Sequence, residues 1–375
     1  MPVTSARSLD KIINFLCNNA SFLENRQIIA GFDGFIDTIV KPVRISGSDG
    51  EYEYFNTIAE FGTFISEHSH KSTSIQYEEL YRRPGGNLPN FVTALDALSL
   101  PSTVIGMLSN EAGIIDPFFT NLGEKQYSYL AAGSAIAMEF NDGKIFLSRA
   151  DIPGIRHNEK MFLRIENVYP QFKNAVDSAD IIALLNWSEL PFAQDLWNDI
   201  YINVINSSEI AKNRYVFFDL CDTAAKNHSE IETVISLIRK TGERRGTILS
   251  LNKNEALDIS RKIGCRNNTL EETAECLFQR FCLDELIIHQ HTESIAITRA
   301  EGIITEPCIL NENPKISTGA GDNFNAAYCY ATLAALPIVE KLRFANAYSA
   351  AYVAEGSSQS LRYFSKIRNN SGSVT

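Results

Sequence analysis

Residues 314–330 read PKISTGAGDNFNAAYCY, in which a polar turn is followed by an apolar run of helical character. The turn ends in Gly319-Ala320-Gly321, and Asp322 follows directly. Glycine has no Cβ, so such a turn lets the backbone approach a ligand closely, and the first turn of a helix offers free N–H groups to an anion. An acid at this position either complements the helix dipole or accepts a proton from a hydroxyl. The stretch predicts a helix start that can also be an anion site.

The rest of the chain alternates short apolar runs with helical patterns. Six runs are rich in Ile, Val, Leu and Phe and show little polar alternation, as strands buried on both faces do. These runs are residues 27–32, 102–108, 179–186, 215–220, 246–252 and 284–289. Helical patterns lie between them, and strand–helix units repeat along the chain. The pattern predicts an α/β fold with a doubly wound, mainly parallel sheet covered by helices on both faces.

Two stretches break this rhythm. Residues 38–80 and 127–150 are polar and alternating, and Asn141-Asp142-Gly143 within the second is a hairpin signal. They predict a small, separate β-sheet attached to a main domain formed by residues 1–37, 81–126 and 151–375. The exposed edges of a small sheet favour pairing between protomers, so a homodimer through this sheet is a further expectation.

Composition limits the partners of the protein. The chain has 375 residues and a formal net charge of −11, which argues against a general nucleic-acid binder. The sequence contains no apolar stretch long enough for a signal peptide or a membrane span. Seven cysteines occur without a CxxC pair, which favours reduced thiols. We therefore expect a soluble, cytoplasmic protein that binds neither nucleic acid nor membrane.

Two further motifs stand at predicted helix starts. Asn252 and Glu255 follow the strand 246–252 and are three residues apart, a spacing that suits either a capping box or a site where the Glu holds Mg²⁺ through water. Gly86, Asn87 and Asn90 lie in RRPGGNLPN, which is either another helix start or a set of amides for a sugar-like ligand.

A fourth motif, GFDGFIDTIV at 31–40, places Asp33 and Asp37 at the end of an apolar strand. Unpaired carboxylates are costly to bury there, so both need partners, which are either turn N–H groups or substrate hydroxyls. All four motifs lie near the carboxyl ends of predicted strands, where open parallel sheets bind ligands. This common placement predicts one shared site.

In this order, the motifs resemble those of the ribokinase-like (PfkB-type) family of sugar and nucleoside kinases, and the similarity extends over nearly the whole chain. The segment RFANAYSAAYVAEG at 343–356 resembles the closing helix of that family, with Asn346 near the nucleotide. The resemblance implies a doubly wound domain with a β lid over the acceptor. It also implies a kinase that uses ATP and Mg²⁺ on a small sugar or polyol.

The resemblance also implies roles for individual residues. Asp322 corresponds to the catalytic base, and Gly319, Ala320 and Gly321 correspond to an anion hole. Asn252 and Glu255 correspond to the motif that binds magnesium and phosphate, with Glu255 holding the metal through water. The residues that would hold the acceptor are Asp37, Gly86, Asn87 and Asn90, with Asp33 as a second carboxylate candidate.

The chain departs from the family pattern at two places. Ile316-Ser317 replaces the usual Asp-Thr before the glycine turn, and His289-Gln290-His291 replaces a Thr-x-Gly turn near the nucleotide. We read both histidines as solvated loop residues rather than metal ligands. The nucleotide donor and a monovalent-cation site therefore stay open.

The leading hypothesis is an ATP-dependent kinase with a sugar or polyol acceptor. The alternatives are a nucleoside kinase, an ADP-dependent sugar kinase and a non-catalytic sugar-binding protein of the same fold. The presence of Asp322 and of the glycines ranks the last of these below the enzymes.

Overall fold

The computed structural model describes residues 3–46, 51–149, 152, 155, 159–265, 268–311 and 314–371. The strands are β1 Ile28–Gly31, β2 Phe35–Ser46, β3 Tyr52–Tyr54, β4 Gln76–Gly85, β5 Ser102–Ser109, β6 Lys125–Ala131, β7 Gly133–Phe140, β8 Gly143–Ser148, β9 Ile181–Leu184, β10 Ala211–Asp219, β11 Arg245–Asn252, β12 Glu285–His289, β13 Glu293–Thr298 and β14 Gly302–Pro307. The helices are α1 Val3–Asn18, α2 Ala20–Leu23, α3 Ile58–Glu67, α4 Asn87–Ala97, α5 Met161–Val168, α6 Phe172–Ser178, α7 Ala193–Ile200, α8 His228–Arg244, α9 Lys253–Lys262, α10 Leu270–Phe281, α11 Ala320–Leu333, α12 Ile338–Glu355 and α13 Leu361–Ser371. A 3₁₀ turn at Pro117–Phe119 and a π segment at Tyr201–Ile205 complete the helical elements.

The described residues form a nine-stranded large sheet in the order β14-β13-β12-β11-β10-β9-β1-β5-β6. The strands from β12 to β6 in this order pair in parallel, and β13 and β14 add an antiparallel edge. The six predicted strands are β1, β5, β9, β10, β11 and β12. The structure thus confirms the mainly parallel α/β sheet.

Alternate residues of one strand enter different cores. Phe217 of β10 packs with α1, α4, α11 and α12 on one face of the large sheet. Its neighbours Val216 and Phe218 pack with α5 to α10 on the other face. Because both faces are covered, the central strands are apolar at most of their buried positions, which is why these runs show little alternation in the sequence. The structure confirms helices on both faces.

A second, five-stranded small sheet is formed by β3, β2, β7 and β8 in that order, with β4 paired to β2. The hairpin predicted at Asn141-Asp142-Gly143 joins β7 to β8, with Phe140 opposite Gly143. β2 begins four residues after β1 ends, so the small sheet projects from the same edge of the large sheet at which β1 terminates.

The small sheet differs in its limits from the predicted stretches 38–80 and 127–150. It takes in residues 35–37 and 81–85 through β2 and β4, whereas residues 127–131 belong to β6 of the large sheet, where they pair with β5. β6 is an edge strand with partly exposed side chains, so its sequence has the polar alternation of a lid strand. Residues 47–50 and 150 of the predicted stretches lie outside the described residues.

Two cysteines correct the expectation of reduced thiols. Cys265 follows α9, Cys276 lies in α10, and the two form a disulfide. The short connection between these helices brings together residues that are 11 apart in sequence. Among the residues that the structure describes, no helix is long and apolar enough to cross a membrane.

Candidate active site

The glycine turn forms the N-terminus of α11. Gly319 is its N-cap, with φ of 90°. A Cβ at this position would lie 2.7 Å from the hydroxyl oxygen of Tyr352, which itself donates a hydrogen bond to the carbonyl of Thr318 at 2.8 Å. Both the backbone conformation and the space therefore require glycine. The turn and the tyrosine hold each other in place.

The N–H groups of this helix start divide into two sets. The Ala320 N–H donates to the carbonyl of Ser317, and the Asn323 N–H donates to that of Gly319. Helix geometry leaves the other first-turn N–H groups, those of Gly321 and Asp322, without a partner inside the helix. These donors and the positive end of the helix dipole suit an anion.

Asp322 lies in the first turn of α11 beside this set of donors. Its Oδ2 accepts a hydrogen bond from Asn90 Nδ2 at 3.1 Å, and the same amide donates to the carbonyl of Gly86 at 3.0 Å. Burial raises the pKa of Asp322 well above its ordinary value, and the nearby charges of Asp219 and Asp33 raise it further. A carboxylate in this setting is a stronger base than an exposed one, as a general base requires.

Asp37, which the sequence predicts to hold the acceptor, lies on β2 and is 5% exposed. A Cβ at Gly85 would overlap its carboxylate, and a Cβ at Gly86 would lie 2.6 Å from Asp33 Oδ2. Burial raises the pKa of Asp37, whereas the positive charge of Arg83 lowers it. The two glycines therefore let the chain pass directly beside both carboxylates.

Asp33 is fully buried, and its carboxylate accepts three hydrogen bonds from the protein. The donors are the backbone N–H groups of Asn87 and Leu88 and the side-chain amide of Asn186, each at 2.8 Å. Burial raises the pKa of Asp33 to about 6, against the effect of these bonds. Asp33 thus anchors the N-terminus of α4.

Asn252 and Glu255 form a complete capping box at the start of α9. Asn252 N donates to Glu255 Oε2 at 2.8 Å, and Glu255 N donates to Asn252 Oδ1 at 2.9 Å. Burial raises the pKa of Glu255 to about 8, and the charge of Asp219 adds to the shift. The capping box that the spacing predicted is therefore formed. The Glu255 carboxylate is also close enough to Asp219 for the charge of that residue to raise its pKa.

Oxygen ligands at this edge fit Mg²⁺, which prefers carboxylates, phosphates and water. Within the described ranges, no group of three or more His, Cys, Asp and Glu side chains is arranged as a metal site. A magnesium ion at Glu255 would therefore depend on water and substrate oxygens. Magnesium at Glu255 through water stays a prediction.

Asn346 lies on α12 and is 5% exposed. Its Nδ2 contacts the carbonyls of Glu306 and Pro307 at 3.4 and 3.5 Å, and its Oδ1 accepts from Cys308 Sγ at 3.3 Å. The structure places Asn346 against the end of β14, across α11 from the acceptor residues. Its contact with a nucleotide stays a prediction.

The sequence analysis missed Asp219, the last residue of β10. It is 7% exposed and accepts hydrogen bonds from Asn87 Nδ2 at 3.2 Å, Asn325 Nδ2 at 2.9 Å and Cys221 N at 3.0 Å. Asp219 thus connects α4 to α11 a second time. The signal was present, because an acid that ends the apolar run YVFFDL obeys the same rule as Asp33 and Asp37.

The sequence analysis expected His289 to be a solvated loop residue, and this was wrong. His289 is the last residue of β12. Its ring packs against that of Phe324 at 5.1 Å, and a Cβ at Gly321 would lie 3.1 Å from its Cε1. Burial lowers the pKa of His289 to about 4, and His291 lowers it further, so the ring is neutral near pH 7. Packing against the glycine turn explains why this position is aromatic.

Glu189 is the second acid that the sequence analysis missed. It follows β9 and is exposed, yet its charge raises the pKa values of Asp33 and Asp37. It therefore faces the same cleft. The sequence held no motif that singled it out, because an acid in a loop after a strand is common.

We predict that Gly319→Ala will reduce the kinase turnover expected from the sequence by about a hundredfold or more, because the anion hole must shift away from Tyr352. Gly302→Ala is the matched control: its φ is also positive, at 70°, but its Cβ would meet open space. Both variants carry a backbone strain of roughly 1–2 kcal/mol. Equal turnover of the two variants in steady-state kinetics would reject the anion hole.

Comparison with known proteins identifies the family and the fold. The family model for prokaryotic ketohexokinase matches residues 15–370. The ketohexokinase of Haloferax volcanii is 22% identical over 342 residues, covering 89% of this chain and 88% of that protein. Adenosine kinase from Sinorhizobium meliloti shares the fold with a TM-score of 0.64 at 13% identity, over 93% of this chain and 99% of its own. Ribokinase of Arabidopsis thaliana, solved with ribose and ATP, has a TM-score of 0.57 at 17% identity, over 91% and 97% of the two chains.

The chain belongs to the prokaryotic ketohexokinase family, has the ribokinase-like fold, and is a sugar kinase, a phosphotransferase with an alcohol group as acceptor.

Proposed function

We propose that the protein transfers the γ-phosphoryl group of ATP to a hydroxyl of a ketohexose. The observation that carries the proposal is the position of Asp322. It is buried beside the glycine turn at the N-terminus of α11 and is held by Asn90 of the acceptor helix α4. One carboxylate thus stands next to both an anion site and a hydroxyl-binding segment, as phosphoryl transfer needs.

The choice of a ketohexose rests on the family. The matching family model and the Haloferax volcanii relative are both described as ketohexokinase. The site supports a small polyol, because Asp37, Asn87 and Asn90 supply a carboxylate and amides within one strand and one helix turn. The hydroxyl that receives the phosphoryl group is the one that reaches Asp322.

The proposed mechanism assigns a task to each group. Asp37 and the amides orient the acceptor, and Asp322 takes the proton of the attacking hydroxyl. The N–H groups of Gly321 and Asp322 stabilise charge on the transferring group. Mg²⁺, when bound, neutralises charge on the β- and γ-phosphates. Asn252 and Glu255 are the groups we assign to the magnesium and phosphate side, and Asn346 to the nucleotide.

A substrate assay tests the proposal directly. ADP release is followed with ATP and Mg²⁺ against ketohexoses, aldohexoses, ribose and adenosine, and then with ADP as the donor. Highest catalytic efficiency on a ketohexose with ATP is expected. Preference for adenosine would favour the nucleoside-kinase alternative, and turnover with ADP alone would favour the ADP-dependent one. Binding of a sugar without turnover of any acceptor would favour the non-catalytic alternative.

We predict that Asp322→Asn will fold, bind ATP and acceptor, and lose turnover by at least about a hundredfold, because an amide cannot accept the proton. Asp195 is the matched control, since it occupies the same position in the first turn of α7. Asp195→Asn removes an acid from a helix start without touching the site, so turnover should stay at the level of the parent. A folded Asp322→Asn variant within a few-fold of the parent would contradict the mechanism.

We predict that Glu255→Gln will raise the Mg²⁺ concentration needed for half-maximal rate, because a carboxylate near the metal is lost. The chain provides a control in Glu230, which completes a similar capping box with Asn227 at the start of α8. Both replacements weaken a cap and should lower the melting temperature. If the magnesium requirement changes equally in Glu255→Gln and Glu230→Gln, Glu255 has only a capping role.

We further propose that the small sheet acts as the lid of the acceptor site and pairs two protomers. Its exposed apolar side chains support this arrangement, because a monomer would leave them in water. They include Ile45, Tyr52, Tyr77, Tyr81 and Leu147. We expect a dimer mass in light scattering and a cytoplasmic location, where ATP is available. A monomeric mass at micromolar concentration would reject the pairing.

A further inference from the structure

Two adjacent arginines on β4 have different surroundings. Arg82 is exposed: its Nε donates to Thr38 Oγ1 at 3.3 Å and pairs with Glu79 at 3.7 Å. Arg83 is half-buried and lies opposite Asp37 in the register of β4 and β2. Successive side chains of a strand point to opposite faces. Arg83 is therefore on the face of the small sheet that carries Asp37.

The charge of the Arg83 guanidinium acts both on the Asp37 carboxylate and on Tyr352, which lies beside the glycine turn. That charge lowers the pKa of Asp37, which burial raises. Burial raises the pKa of Tyr352 to about 12, and Arg83 lowers it through its charge and through a side-chain hydrogen bond to the tyrosine. The Tyr352 hydroxyl is the group that would meet a Cβ at Gly319, 2.7 Å away. Arg83 thus reaches both the residue that holds the acceptor and the residue that fixes the anion hole.

Arg83 also has unused binding capacity. Its Nε is buried and has no hydrogen-bond partner among the described residues. Arg83 forms no ion pair within the part of the chain that the structure describes, whereas Lys144 is paired with Glu139 at 2.7 Å and Lys315 with Glu355 at 3.4 Å. A buried N–H without a partner costs free energy unless a ligand completes it.

The charge balance of the site indicates what that ligand is. Asp322 is surrounded by the acids Asp219, Asp33 and Glu255, all of which raise its pKa. A transferring phosphoryl group adds further negative charge at the same place, and two N–H groups alone would oppose it weakly. Arg83 offsets part of the charge of Asp37, but its buried Nε–H is left without a partner and can serve a further, anionic ligand. The planar fork of arginine matches phosphoryl oxygens, which it can bind through two N–H groups at once.

We propose that Arg83 is a catalytic residue that contacts the phosphoryl group during its transfer, an inference that rests on the proposed kinase function. In this step the acceptor oxygen forms a bond to the γ-phosphorus, and the bond from that phosphorus to the β-phosphate oxygen breaks. The acceptor proton passes to Asp322, and ADP leaves. Arg83 binds the oxygens of the transferring phosphoryl group and stabilises their negative charge, as arginine does in other phosphoryl-transfer sites.

The test compares Arg83→Ala with Arg82→Ala, its neighbour on the opposite face. We expect Arg83→Ala to lower kcat by about a hundredfold or more while the KM of the acceptor changes by a few-fold, because the charge acts in the transition state. Arg82→Ala should keep the kcat of the parent. Guanidinium ion at non-denaturing, millimolar concentration should restore part of the kcat of Arg83→Ala and leave the parent and Arg82→Ala unchanged.

Further variants separate catalysis from folding and binding. Arg83→Lys keeps the charge but loses the fork, so its kcat should lie between those of the parent and Arg83→Ala. A rise in acceptor KM with unchanged kcat would show that Arg83 binds the acceptor only, and would overturn the proposal. Loss of kcat without guanidinium rescue in a variant of parental melting temperature would also overturn it. An inactive parent would instead overturn the kinase function itself.

Discussion

Burial of carboxylates at the carboxyl edge of the large sheet is the constraint on which the rest of the site depends. Asp33 follows β1 and Asp219 ends β10, two strands of the large sheet that are separated by β9, and both side chains are almost removed from water. Because no ion pair within the described residues neutralises either of them, N–H donors must do so. The donors come from α4 and α11, through Asn87, Leu88 and Asn325. The two helices therefore begin where the acids are, and their N-termini face one cleft.

The same acids set the chemistry of the cleft. Burial raises the pKa values of Asp322 and Glu255, and the nearby charge of Asp219 raises both further, because each ionised carboxylate makes it harder to ionise the next. A base of raised pKa suits the removal of a hydroxyl proton. The same acids repel a phosphoryl group, which is itself negatively charged, when it enters the cleft. Helix N-termini, a metal ion and the Arg83 guanidinium are the positive elements that would make its entry favourable.

Sequence reasoning succeeded where the physical signal is local. The short runs rich in apolar residues with little alternation identified the central strands, and the glycine turn before Asp322 identified the start of α11. It failed where a residue's role depends on contacts distant in sequence. Nothing near Asp33 in the sequence shows that α4 and Asn186 donate three hydrogen bonds to its carboxylate. Likewise, only the packed structure shows that His289 lies against Phe324 and that Cys265 meets its partner.

The central claim is that one buried carboxylate, Asp322, stands between the acceptor hydroxyl and the anion hole. A crystal structure with a ketohexose, Mg²⁺ and a non-hydrolysable ATP analogue would test it most directly. The account predicts an acceptor hydroxyl at roughly 2.6–3.2 Å from the Asp322 carboxylate, with the γ-phosphate facing the N–H groups of the glycine turn. A sugar bound with every hydroxyl beyond reach of Asp322, or a γ-phosphate turned away from Gly319–Gly321, would contradict it.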